Sequence, residues 1–525
     1  VLGRLLSGSF WLVLRLPVQI ITSFWSTRLI LETIGPVQND AYLFAWGFSF
    51  FQFLFEFGAS SALQRQMSDV WTRDDRDGVN RTIACGMCFY TAMAVLQIAA
   101  LLGVAYWALP YSKLSPSSFP FVVKLLWLQA LTSPCFGFSV VVSSVLQAAR
   151  RYDFVPRFEV MIVVMRFVVL VAGVRAGFDF FWVVAAQTIT QIALGLCPAL
   201  WVMMRELGYV PHFHGARWSD YKALGHISVY VALIQISVVL ADRVDTAVLG
   251  FMMPDHTEGA ITVYGLVSKA FLNVRQTGWM LAYMVMPAVA SLAAAQDNHG
   301  LNRVKYDGTR MHIAAISLVG LLAFLYAGPF LAIWIRARDW DAMHALGYGL
   351  ADVTWLMRLF LVATLPLVLS VPVQMSIGIN KIKVIALAAL AGSVINLPIS
   401  CVLTARLGVA GVIWGTVLTT LFSNLIVPGV YVFRVLEIDP RTFMRRTLSA
   451  PLTAASALLL VALSLQYFFP LSLDGTNLWA RAVALVVQLA VASMAFVGGY
   501  LLTPMGRRDL SEIFGKLRGR PAVVS

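Results

Sequence analysis

The chain has 525 residues, of which 59% are hydrophobic and only 12% charged, and its mean hydropathy is +0.78. Such values exclude an ordinary soluble globular domain and make the bilayer the solvent for most of the chain. A formal net charge of +13 would suit a nucleic-acid surface if the basic residues clustered; they fall instead mostly in alternate connections, which is a topology signal.

The first apolar run follows Arg4 and extends to about Leu31. It is too long for a signal-peptide core and lacks a small-residue cleavage site, so an uncleaved first helix is expected. Windows of roughly 20 apolar residues then predict about fourteen transmembrane helices, near 9–31, 40–63, 83–109, 120–147, 157–174, 179–204, 224–253, 260–295, 312–335, 351–378, 384–405, 409–433, 448–469 and 479–502. The connections are too short to fold alone, which predicts an all-α polytopic membrane protein with essentially no soluble domain. Tight hairpins are expected at Arg175–Phe178 and Arg406–Val409, where a glycine follows the arginine.

Twenty-five of the 39 basic residues lie in the N-terminal segment, the even-numbered connections and the tail, against seven on the opposite side. The positive-inside rule therefore puts both termini in the cytoplasm. Segments 168–192 and 399–423 echo each other as helix, Arg-x-Gly turn, helix. Their positions suggest two pseudo-symmetric six-helix lobes, 1–205 and 206–435, followed by a segment 436–525 with helices 13 and 14 and a basic tail.

The remaining basic residues, Arg15, Arg28, Arg166, Arg243, Lys269, Arg275 and Arg358, fall inside predicted helices with Glu56, Asp242 and Asp245. A charge at that depth costs several kcal/mol on insertion scales, about 2.5–3.5, and faces a partner or a watery cavity. Arg15 and Glu56 lie at similar depth and are expected to pair across the first hairpin. Arg28 is within a turn of the outer boundary, where it could snorkel or face substrate. Asp242 and Asp245 share a helix face, and Lys269 lies at a comparable depth on the next helix, so an aspartate–lysine pair is expected there. Arg166, Arg275 and Arg358 have no acidic neighbour at helical spacing. Such cations suit a path for a phosphate-bearing or acidic solute, since guanidinium groups replace lost water around phosphate.

Prolines at 17, 134, 287, 366, 372, 398 and 428 fit helices bent around a cavity or within a packed bundle. Trp107, Trp340 and Trp355 are expected interface anchors. The five cysteines lie in or at the ends of apolar runs and do not suggest a disulfide framework; Cys85 and Cys88 read as small apolar fillers. His212 and His214 read as a solvated loop, with no metal site expected. Nucleotide-binding and hydrolytic motifs such as Walker A, G-x-S-x-G and H-E-x-x-H are absent, so no enzyme activity or cofactor is expected.

Four stretches carry a family resemblance: TRLILETIGPVQNDAYLFAWGFSFFQFLFEFGASSALQRQMS (27–68), DRVDTAVLGFMM (242–253) continuing through Tyr264 to MPAVASLAAA (286–295), PVQMSIGINKIKVIALAAL (372–390) and NLPISCVLTARLGVAGVIWGTVLTT (396–420). In order and spacing they resemble the polysaccharide-transporter branch of the multidrug/oligosaccharidyl-lipid/polysaccharide exporter superfamily, which includes O-antigen and exopolysaccharide repeat-unit flippases. The resemblance spans helices 1–12, with Glu56 where many relatives carry Asp. It implies two lobes alternating about a central cavity in the bacterial inner membrane, moving a polyprenyl-diphosphate-linked oligosaccharide to the outer leaflet. Basic cavity residues then meet the diphosphate or acidic sugars, with Arg166, Arg243, Lys269, Arg275, Arg358 and Arg28 as candidates. A polysaccharide polymerase and a chain-length regulator are the implied partners, besides membrane lipids. Asp242, Asp245 and Glu56 are candidates for binding a coupling H⁺ or Na⁺, or for structural pairing. A lipid II flippase and a cation-coupled drug antiporter of the same superfamily are the alternatives. A membrane-embedded polymerase or ligase would need a sizeable outer loop, and no outer connection is long enough.

Overall fold

The computed structural model describes residues 2–56, 58–151, 154–225, 243–254, 258–283, 285–471 and 478–517, and within 226–242 only positions 233, 236, 237 and 240. The described residues form helices joined by short turns, without a strand. Among the described residues, ten helices are long and apolar enough to cross a membrane by length and composition, including Phe180–Glu206, Lys383–Leu407 and Leu478–Leu502. Of the other expected spans, 9–31 lies in the helix Leu2–Gly47, and 157–174 lies in Phe154–Arg175 with its several charges. The stretch 40–63 is interrupted, with Phe50–Glu56 and Ala59–Thr72 as separate helices. Most of 224–253 lies outside the described residues.

Long apolar helices bury every backbone donor and acceptor internally, as a hydrocarbon solvent demands. Their interruptions have local causes. Leu2–Gly47 is two helices merged across Gly35, whose φ of 72° and ψ of 172° belong to a region that only glycine occupies without strain, and Pro36 starts the next helix. The hairpin turns expected after Arg175 and Arg406 are present, with Gly177 and Gly408 at φ of 73° and 59°.

Left-handed residues recur in one order along the chain. Gly35, Asp74, Arg150, Gly177 and Gly208 are followed by Gly259, Gln296, Asn380, Gly408 and Glu437. The members of each pair lie a little over two hundred residues apart. Gly58, Gly215 and Gly347 have no such counterpart among the described residues. The pair at Asp74 and Gln296 is followed by matching sequence, Asp75-Arg-Asp-Gly78-Val-Asn-Arg81 and Asp297-Asn-His-Gly300-Leu-Asn-Arg303. In each, the aspartate caps its helix by accepting the glycine N–H, at 2.8 Å and 2.9 Å.

The chain divides into two compact units. The first comprises Val1–Gly265 and Leu397–Val412, so the boundary expected at 205/206 falls within it. Its core joins Leu63, Met67, Ile83, Val141, Leu146 and Met203. The connection after Glu206 folds back onto this core: Tyr209 is buried against Trp71, and the Phe213 carbonyl accepts from the Cys88 thiol.

The second unit comprises Leu266–Asn396 and Ile413–Ser525. It includes the terminal helix pair, in which the stripe Ala450, Ala454, Leu458 and Ala462 of Ser449–Phe468 packs with Leu485, Ala492 and Phe496 of Leu478–Leu502. Small residues at one-turn spacing let the two backbones approach closely. The amphipathic helix Pro504–Leu517 follows.

Candidate functional site

The first unit contains a polar cluster at the start of the helix Ala260–Tyr283. The Gly35 break and Pro36 place Asn39 and Asp40 on the first turns of the following helix segment. Asp40, only 4% exposed, accepts the Gly259 N–H at 2.6 Å with one oxygen and the Thr262 N–H at 2.7 Å with the other. The first amides of a helix lack internal partners and carry its positive dipole end, so a carboxylate is the complementary group. The Thr262 hydroxyl donates to the Pro36 carbonyl at 2.8 Å and accepts from Asn39 Nδ2 at 3.0 Å. One turn away, buried Asp245 accepts from the Tyr264 hydroxyl at 2.7 Å. The helix Asp245–Met252 lies close against the segment bearing Asp40, because a Cβ at Gly250 would sit 2.2 Å from Phe44 Cε2.

The cations expected in the spans divide between the units. In the first, Arg28 pairs with Glu32 one turn on, at 2.7 Å. Arg15 binds Glu159 at 2.6 Å, not Glu56 as expected. The reason is packing: the first helix runs against Phe154–Arg175, while Glu56 accepts from the Tyr90 hydroxyl at 3.0 Å and the Ser60 N–H at 3.2 Å. Arg166 is half-buried; its carbonyl accepts from Gln187 at 2.9 Å, and its Nε is buried with no hydrogen-bond partner among the described residues. Arg243 is exposed, with its guanidinium 5.7 Å from the Phe53 ring centre. Asp242 lies outside the described residues.

In the second unit, Lys269 is half-buried. Arg275 stands 5.0 Å from the Phe271 ring centre, and that ring stacks on Phe360 at 4.2 Å. Aromatic faces attract cations through the ring quadrupole and hold them without cancelling their charge. Arg358 donates through Nε to the Phe324 carbonyl at 3.1 Å, where the helix Thr309–Leu325 ends at Tyr326, and so satisfies a carbonyl the break leaves open.

Sequence reasoning missed Asn39, Asp40, Thr262 and Glu159. The available signal was the Gly-Pro break: a helix restarting at Pro36 carries Asn39 and Asp40 inside its first two turns, whereas a helix starting at 40 leaves them in solvent.

Among the described residues these features define an all-helical protein with ten helices long and apolar enough to cross a membrane. No protein-family model matches the sequence. Two solved structures place the fold more closely. A structure described as "Lipid II flippase MurJ, inward closed conformation" superposes with a TM-score of 0.66 at 11% identity, over 99% of this chain and 100% of that one. An inward-facing multidrug resistance MATE family transporter of the MOP superfamily gives a TM-score of 0.61 at 10% identity, over 80% and 96%. These two are described as a flippase and a transporter. A curated relative, "Uncharacterized membrane protein EpsK" of Bacillus subtilis (strain 168), is 22% identical over 305 residues, 57% of this chain. The match spans little more than half of that protein's length, 56%.

Proposed function

We propose that this chain is a flippase that moves a polyprenyl-diphosphate-linked oligosaccharide, a polysaccharide repeat unit, from the cytoplasmic to the periplasmic leaflet of a bacterial inner membrane by alternating access. Arg166 carries the reading. A half-buried guanidinium in a predicted span, with its Nε desolvated and unpartnered among the described residues, is costly unless an anion completes it. A diphosphate has the charge and the paired oxygens that a guanidinium binds bidentately. Arg243 and Arg275 stand against aromatic faces, which hold a cation without cancelling its charge; Lys269 adds a further positive charge along the path. Arg28 and Arg358 must first leave Glu32 and the Phe324 carbonyl, so they contribute later contacts.

The likeness to the MurJ flippase extends over 99% of the chain, terminal helix pair included, against 80% for the MATE transporter, and this supports a flippase over the drug antiporter. The paired left-handed turns support two duplicated lobes as the moving parts. In this reading both termini are cytoplasmic, and the cluster of Asn39, Asp40 and Thr262 closes the outer end and parts when that end opens. Asp245, or the neighbouring Asp242, takes up the coupling H⁺ or Na⁺, with Glu56 as the other candidate acid. A polysaccharide polymerase and a chain-length regulator would act on the delivered unit.

The test is transbilayer movement of a labelled polyprenyl-diphosphate oligosaccharide in vesicles reconstituted with the full chain, with lipid II and a cationic drug as parallel cargoes. Arg166→Ala and Arg275→Ala should each lower the rate at least about tenfold, the worth of one lost charge-assisted contact, at unchanged protein level. Asp245→Asn should abolish the response to an imposed ion gradient. Preference for lipid II or the drug, or full rates in both arginine variants, would overturn the assignment.

A further inference from the structure

The second unit carries a basic surface that the transport reading does not use. It is built around Arg310, whose side chain is 1% exposed. Arg310 Nε donates to Asp509 Oδ2 at 2.7 Å, Nη2 donates to the other Asp509 oxygen, and Nη1 donates to the Arg446 carbonyl at 2.8 Å. Tyr500 donates its hydroxyl to the same aspartate at 2.6 Å. One guanidinium thus fastens two elements side by side: the turn Met444–Leu448 and the helix Pro504–Leu517.

Within that helix the acids turn inward. Asp509 is consumed by Arg310, and Glu512 pairs with Arg303 and, at 3.4 Å, with Arg508. Burial opposes it, but the hydrogen bonds and charge of Arg303 and Arg508 hold the Glu512 carboxyl below its ordinary range. The outward side is left cationic: Arg445, Arg446, Arg507 and Arg508 are all exposed. The sequence continues with Lys516, Arg518 and Arg520.

The level of this surface is fixed by its neighbours. Leu502, the last residue of the span Leu478–Leu502, is 72% exposed, and Met444 beside the two arginines is 53% exposed. Arg507 Nη2 donates to the Leu502 carbonyl at 3.3 Å, which keeps its guanidinium level with the end of the span. Apolar side chains at the span's edge with a cationic row directly beyond them match an interface of acyl chains and anionic head groups.

We propose that Arg445, Arg446 and Arg507 form a binding surface for anionic phospholipid head groups, assembled by Arg310 from two separate elements. Its occupant is a bilayer lipid with a phosphodiester head group, such as phosphatidylglycerol. The surface acts at the membrane boundary and is independent of which cargo is moved.

The test uses the full chain in nanodiscs of phosphatidylcholine with increasing phosphatidylglycerol, reading lipid enrichment around the protein with a spin-labelled phosphatidylglycerol. The triple variant R445Q/R446Q/R507Q keeps Arg508 with Glu512 and the Arg310 joint. It should lose at least about tenfold in relative affinity for the probe, with an unchanged melting temperature in pure phosphatidylcholine. The R445K/R446K/R507K variant should retain most of the affinity, and millimolar inorganic phosphate should not displace the probe. Wild-type enrichment in the glutamine variant, equal loss in the lysine variant, or displacement by free phosphate would each overturn the proposal.

Discussion

Asp40 commits both carboxylate oxygens to the opening amides of a helix more than two hundred residues away, and this arrangement was only half legible in the sequence. Gly35 and Pro36 announce the turn, yet nothing local says that Gly259 and Thr262 will be the partners, because the contact is non-local. The pairing of Arg15 failed for the same reason: depth along a helix was readable, but which neighbour packs against it was not, and Glu159 stands where Glu56 was expected. The positions of the intramembrane cations were read directly, since a charge in an apolar run is conspicuous. Asp40→Ala strips two charge-assisted hydrogen bonds and leaves two buried N–H groups open, which should cost about 2–4 kcal/mol. Thermal unfolding in detergent would register it. Asp40→Asn, which keeps an acceptor, should cost less; equal losses would mean that the charge, not the geometry, matters.

Among the elements, helix existence followed from apolar length, and the hairpins at Gly177 and Gly408 followed from turn chemistry. What escaped was continuity within a run. The span expected at 40–63 is interrupted, because a break inside an apolar stretch barely changes its composition, whereas the division of 351–378 into Leu350–Val362 and Ser370–Gly378 falls at Pro366, one of the prolines expected to bend a helix. The break at Gly35 depends on backbone geometry alone: a Cβ there would meet nothing within 4 Å, yet φ is +72°. Gly35→Ala should therefore destabilise the protein by about 1–3 kcal/mol through strain, with no steric remedy from trimming neighbours. Unchanged stability by thermal unfolding would show that the two helix segments can meet through another backbone path.

For the molecule as a whole, the terminal helix pair is no loose appendage of its unit, since Tyr500 and Asp509 meet Arg310 in its interior. In the sequence Arg310 lies between two predicted helices and Asp509 lies beyond the helix predicted at 479–502, and nothing local links them. Asp509→Ala leaves a buried guanidinium without its main counter-charge, which should cost about 3–5 kcal/mol. A double variant, Arg310→Leu with Asp509→Leu, removes both charges and should recover much of that loss by the same thermal measurement; no recovery would mean that packing of the terminal helix dominates.

The Arg310 joint also bears on how the chain is made. Arg310 leaves the ribosome 199 residues before Asp509, so its charge waits through the synthesis of every intervening helix for the partner that lets it be buried. Local helices form early, whereas a contact of such long sequence separation closes late. Completion of the second unit is therefore tied to the arrival of the helix Pro504–Leu517, and a ribosome stalled before Asp509 would leave behind a nascent unit that cannot set.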